Sequence, residues 1–286
     1  MKTIALLLLP MMVAAQTKGI VRDSVSGKPV PYVNIWIDGQ NSGATADSLG
    51  QFAVKTTNAS ARLVFSAPGY KSKKIPLAEI RHLGLCPLPQ NPSSATLGLT
   101  QTQTLNDYKK GDIGLSYGSQ GQPMMLAQKF EAPADLARTP YLQQVKLATE
   151  CHNNNMKFEL RVFAVGKDGN PGDDLFPEPL IFRVDRGSDN ITLDLTPYKI
   201  RFPENGIFVA VCWLMIPQNV KTWYDHRPMQ FRDFDPGIGA IPSDRGEVWA
   251  YSMGSWQPVP AKPEDYQIRK FRGKFIRLAL ALTLTN

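Results

Sequence analysis

Apolar positions along this chain recur at every second residue and almost never at helical spacing. Over residues 31–37, Val33, Ile35 and Ile37 fall on one side, and Tyr32, Asn34 and Trp36 on the other. That is the period of a strand with one buried face. Asp38-Gly39 breaks the run, and Gly43 and Gly50 flank a further turn before Phe52 and Val54. Residues 62–66 then form another apolar run, ended by Pro68-Gly69-Tyr70. Beyond residue 111 the same grammar continues. Short strands are predicted at 124–130, 141–150, 156–165, 180–184, 191–195, 207–214, 247–251 and 275–284. In the third of these, Phe158, Leu160, Val162 and Ala164 alternate with Glu159, Arg161 and Phe163, which predicts a half-buried strand with a wet polar face. The fold class expected is therefore all-β, with a smaller sandwich at 16–86 and a larger jelly-roll-like sandwich at 111–286. The intervening residues 87–110, rich in Pro, Ser, Thr and Gln, are expected to form a linker that packs little.

The order Gly19-x-Val21-x-Asp23, Gly27-x-Pro29-Val30-Pro31-x-Val33-x-Ile35, Asp47-x-x-Gly50-x-Phe52 and Pro68-Gly69-Tyr70 resembles the carboxypeptidase-like regulatory domain. Ala46 departs from the Thr more usual in that family before the Asp. The resemblance implies a transthyretin-like β-sandwich of the kind that opens secreted and outer-membrane proteins of Bacteroidetes-type bacteria. It implies a structural or docking module with no catalysis of its own. Residues 158–213 resemble accessory β-sandwich domains that follow such modules and have no assigned activity.

Compartment and charge narrow the picture. Residues 1–15 combine Lys2, an apolar run and Val13-Ala14-Ala15, the composition of a secretory signal peptide. The mature chain is expected in the periplasm or at the cell surface, with peripheral outer-membrane association open. Over the whole chain, 32 Lys and Arg stand against 25 Asp and Glu. The excess lies early, with nine basic and four acidic residues in 16–90. A basic module suits an acidic envelope surface or a solubilising face; no nucleic-acid-binding motif accompanies it, and nucleic acid is not an expected partner. Cys86, Cys151 and Cys212 allow one disulfide with a thiol left over, and the pairing stays open. Cys212, inside an apolar run, reads as a buried thiol. Oligomeric state stays open as well.

The candidate chemistry is thin. A zinc carboxypeptidase needs His-x-x-Glu, but the third residues after His82, His152 and His226 are Leu85, Asn155 and Met229. Gly114-Leu115-Ser116-Tyr117-Gly118 matches G-x-S-x-G, yet that nucleophile requires a strand–turn–helix elbow and no helix is predicted after it. No enzyme, cofactor or metal is expected. Asp168, Asn170, Asp173 and Asp174 gather oxygen donors suited to calcium in one loop, but Pro171 and the missing distal Glu break the EF-hand pattern, and a glycine-rich hairpin loop with solvated acids is the preferred reading. The best lead is aromatic. Arg245, Glu247, Trp249 and Tyr251 share a strand face with two charges, and Trp223 and Tyr224 lie nearby in a polar stretch. Trp249, Tyr251, Trp223, Tyr224 and Arg245 are thus the expected ligand-binding residues, suited to a sugar ring or a protein partner. Trp213 is expected in the core, and Trp256 is expected to fold back on its sheet. The function expected is non-catalytic binding of a glycan or an envelope protein. The alternatives are a structural envelope component, in which Trp249 and Tyr251 are buried, and a hydrolase with an unrecognised site.

Overall fold

The computed structural model describes residues 15–88, 95–224 and 230–286. Residues 1–14 of the expected signal peptide, together with His226, lie outside the described residues. Among those described, all regular structure is β, apart from short 3-10 turns of which Leu77–His82 is the longest.

The first domain opens with strand Ala15–Ile20 paired antiparallel to Gln51–Thr56. Facing this pair is a four-stranded sheet in the order Gly43–Thr45, Asn34–Ile37, Arg62–Ser66, Lys73–Pro76. Val33, Ile35, Ile37, Leu63 and Phe65 meet Val21, Phe52 and Val54 between them. The edge strand Lys73–Pro76 carries two lysines, a device that discourages pairing with another chain.

The second domain holds two antiparallel sheets of seven strands each. One, here the proximal sheet, runs Pro171–Asp174, Met156–Val165, Ile207–Trp213, Met125–Phe130, Val248–Ser252, Ser255–Pro258, with Leu180–Val184 also on Met156–Val165. The other, the distal sheet, runs Leu115–Tyr117, Gly237–Ser243, Tyr141–Cys151, Leu280–Thr285, Thr102–Leu105, with Gly187–Asp194 on Tyr141–Cys151 and Phe275–Leu278 on Gly237–Ser243. Their facing sides enclose the largest core, including Leu142, Val145, Phe158, Leu160, Val209, Val211, Trp213 and Leu282.

Two expectations need correction. Residues 87–110 do not form a loose linker throughout: Thr102–Leu105 is an edge strand hydrogen-bonded to Leu280–Thr285. Asn286 ties down Gly98, Leu99, Thr100 and Gln101. The polar strand faces are not wet either. In Asn34–Ile37 every residue is buried, and in Met156–Val165 Glu159 and Arg161 are 0% and 3% exposed. The reason is a third layer: the four-stranded sheet of the first domain lies on the outer face of the proximal sheet. Strand Ile207–Trp213 shows this sharply. Ile207, Val209, Val211 and Trp213 face the second domain's own core, while Phe208, Ala210 and Cys212 face Trp36 and Val64 of the first domain. Gly69, in the Pro68-Gly69-Tyr70 segment that ends the run at 62–66, has two reasons to lack a side chain. It sits at φ +75°, and a Cβ there would run into the backbone of Pro177 across the seam.

Candidate functional site

Two places concentrate polar chemistry: the seam between the domains and the outer face of the distal sheet. At the seam, strand alternation sends Trp36, Asn34, Val64 and Ser66 outward from the first domain's core. Trp36 is fully buried, and its indole Nε1 donates to the Pro123 carbonyl at 3.0 Å. Its ring meets Tyr251 edge-on at 4.7 Å; Tyr251 in turn meets Trp256 at 5.0 Å, and Trp256 meets Phe163 at 5.5 Å. Such edge-to-face contacts add to the area buried.

Beside this aromatic row lies a buried polar chain. The Met215 amide donates to Thr45 Oγ1 (2.8 Å), Thr45 Oγ1 to Asn34 Oδ1 (3.1 Å), and Asn34 Nδ2 to Glu159 Oε2 (3.4 Å). Asn34 Nδ2 also lies 3.1 Å from Cys212 Sγ. Two residues along the same strand, Arg161 grips Asp174 with Nε (3.0 Å) and Nη2 (2.6 Å), while its Nη1 donates to Ser66 Oγ of the first domain at 2.9 Å. One guanidinium thus serves one carboxylate fully, and the second receives little. Glu159 Oε1 has no hydrogen-bond partner among the described residues. Burial pushes the Glu159 carboxyl up to about 7, against the pull of Arg161. Below neutral pH Glu159 keeps its proton, and there the seam is electrically balanced.

The outer face of the distal sheet is unlike an ordinary solvated face. Its middle is paved with small residues, Ala148, Gly239, Ala279 and Ala281, and residues 106–114 cross it as a strap. Three cations hold that strap. Arg277 Nη1 donates to the Asn106 carbonyl (3.1 Å), Lys146 Nζ to Asp107 Oδ1 (3.0 Å) and the Tyr108 carbonyl (3.3 Å), and Lys270 Nζ to the Ile113 carbonyl (3.0 Å). Tyr108 is buried beneath the strap, and its hydroxyl donates to Asn190 Oδ1 at 3.0 Å. Beside the strap a pocket of about 340 Å³ stays open. Sequence reasoning missed it, because its walls come from four separated segments. The signal available was the run of small residues on strand faces whose alternate positions are large.

The expected ligand-binding residues are only partly together. Trp249 and Tyr251 do share a face, but that face is turned toward the first domain. Tyr251 is 9% exposed against Trp36, which corrects the expectation of a wet ring. Trp249 is half-buried, edge-on to Phe208 at 5.0 Å, with Nε1 donating to Asn170 Oδ1 at 2.9 Å. Arg245 stays exposed and pairs with Glu131 (3.0 Å) and Glu247 (2.9 Å). Trp223 and Tyr224 lie in strand Val220–Tyr224, which pairs with Gln230–Phe234; their side chains lie outside the described residues. Trp213 is in the core, and Trp256 does fold back on its sheet. The four oxygen donors of the loop at 168–174 do not converge. Asp174 turns inward to Arg161, Asp168 accepts from Asn170, and Asn170 accepts from Trp249. Asp174 is therefore not a solvated acid, and no group of three or more His, Cys, Asp or Glu suited to a metal occurs among the described residues. Ser116 lies mid-strand in Leu115–Tyr117 rather than at an elbow. All three cysteines are free; Cys86 is exposed, and Cys151 and Cys212 are buried.

No curated protein and no solved structure matches this chain. Residues 17–82 match the family model described as CarboxypepD_reg-like domain. The first domain, a β-sandwich with the glycine-punctuated strands set out above, therefore belongs to the CarboxypepD_reg-like family, a non-catalytic domain of regulatory or binding type.

Proposed function

We propose that the protein is an exported, non-catalytic binding module of the bacterial cell envelope, in which the second domain recognises a glycan or an envelope protein and the first domain braces it. The observation that carries this reading is the division of labour between the two outer faces of the second domain. One is sealed by the CarboxypepD_reg-like domain through Trp36, Asn34 and Ser66. The other keeps an open pocket with a polar rim. A domain without catalysis that is docked this closely fixes the orientation of its neighbour, which serves presentation of a surface more directly than turnover. Binding of the full chain to a glycan array and to fractionated envelope proteins tests the reading, with Trp249→Ala alongside. Retained binding in that variant directs the ligand away from the Arg245–Trp249 edge, and binding to neither class contradicts the proposal.

A second reading, a structural envelope component, draws on one specific observation. Tyr251 and Trp256, and Trp249 in part, are spent on packing at the seam. It requires that no ligand engage either outer face.

A further inference from the structure

We infer that the pocket beside the strap of residues 106–114 is a saccharide subsite that takes one or two sugar rings. The inference deepens the binding reading above and rests on it.

The floor of the pocket is made of small apolar groups. Ala148 and Gly239 lie side by side on neighbouring strands, and a Cβ on Gly239 would come within 2.9 Å of Ala148 Cβ and 3.2 Å of Ile113 Cγ2. The missing side chain keeps the floor low while the strap stands against it at Ile113. Around this floor the rim is polar and of mixed character. Lys110 brings a group that only donates, Glu150 one that accepts when ionised, and Ser116 and Asn190 bring groups that do both. Asn190 is held in place by the Tyr108 hydroxyl, which donates to its Oδ1.

This combination selects among ligand classes. A phosphate or carboxylate ligand meets Glu150, and an amine meets Lys110, so neither a simple anion nor a simple cation finds a complementary rim. An aliphatic ligand takes water from Glu150 and Ser116 and gives them no hydrogen bond in return, which is costly. A hydroxyl-rich ring satisfies both needs: its C–H face lies on Ala148 and Gly239, and its equatorial hydroxyls both donate and accept. At about 340 Å³ the volume sits at the small end of the ligand-pocket range, which suits one or two rings rather than a long cleft. The strap gives the subsite a preformed wall, because its cation-to-carbonyl contacts fix Lys110 and Ile113 from both sides.

The test is saturation-transfer NMR and calorimetric titration of the full chain with the methyl glycosides of glucose, galactose, mannose and N-acetylglucosamine. Glycine and inorganic phosphate serve as zwitterionic and anionic controls. At least one glycoside is expected to bind and neither control to do so. Ser116→Trp, which fills the pocket, and Glu150→Ala, which removes one rim acceptor, are each expected to weaken that binding about tenfold or more, with an unchanged melting temperature. Should the larger side chain disturb strand Leu115–Tyr117, Glu150→Ala carries the test alone. Binding that both folded variants retain overturns the subsite while leaving the binding reading intact, since the glycan then sits elsewhere. Failure of every glycoside, or preference for phosphate or glycine, overturns the saccharide assignment itself. Binding of an envelope protein alone leaves the broader reading standing without it.

Discussion

Arg161 and Asp174 meet side by side, Nε to Oδ1 at 3.0 Å and Nη2 to Oδ2 at 2.6 Å, with their side chains only 2% and 7% exposed. Both belong to the second domain, yet the remaining arm of the guanidinium reaches Ser66 of the first. A forked pair of this kind is set by geometry and costs much to break from one side, because the surviving charge stays buried. Arg161→Ala is expected to destabilise the chain by about 3–5 kcal/mol. Replacing Arg161 and Asp174 together with apolar residues of similar volume is expected to recover most of that loss. Chemical denaturation of the two variants checks this, and equal losses in both contradict it.

Glu159 gives stability a pH dependence of definite sign. Its folded value of about 7 lies above the ordinary 4.5, so the folded state holds the proton more tightly than the unfolded chain. The contribution is fully present below about 4.5 and is lost as pH rises through about 7, at a cost of about 3 kcal/mol from this group alone. The charged and titratable groups that set it are Arg161 on the same strand, Asp174 on the neighbouring edge strand and Cys212 on the other side. In thermal melts between pH 5 and 8.5, the wild-type chain is expected to lose stability with rising pH. Glu159→Gln, which keeps the shape and cannot ionise, is expected to flatten that slope. An unchanged slope in the variant contradicts the assignment.

Trp36 is the first domain's largest contribution to the seam. Trp36→Ala removes a fully buried ring and the hydrogen bond to the Pro123 carbonyl. A loss of about 3–5 kcal/mol is expected. Because the ring faces the second domain and not the first domain's own core, the loss falls on docking. The variant is expected to melt in two calorimetric transitions where the wild type melts in one.

The thiols report the same layering. Cys86 is expected to react promptly with an exposed-thiol reagent in the native protein. Cys151, with its thiol pushed up to about 12 by burial, and Cys212, shifted the same way, are expected to react only on unfolding. One equivalent of modification in native buffer and three in denaturant is the expected count; two or more in native buffer contradicts the burial described.

Much of the fold was legible from period-two alternation and glycine placement. Strands such as Met156–Val165 and Arg62–Ser66 run as the pattern predicts, since a strand's inward face is written directly in its apolar positions. What alternation cannot say is what covers the other face. Glu159, Arg161 and Asn34 read as water-facing because they are polar, but they are the polar minority of a second buried layer, where Arg161 pairs with Asp174 and Ser66 and Asn34 donates to Glu159. The same blindness made Tyr251 look wet beside Arg245 and Glu247. The edge strand Thr102–Leu105 was missed because TQTL has weak apolar contrast and gains its place by pairing with Leu280–Thr285. The pocket was illegible for a related reason: Ser116, Glu150, Asn190 and Gly239 are far apart in sequence, and only the order of the distal sheet brings them together.

Native-state hydrogen exchange tests the sealed seam most directly, by comparing the opening free energies of the amides in Asn34–Ile37 with those in Ile207–Trp213. If the two domains share one buried layer, the slowest amides of both strands exchange through the same global opening and give the same free energy. Strand Asn34–Ile37 opening at far lower free energy than Ile207–Trp213 would contradict it and return the first domain to the status of a loosely tethered module.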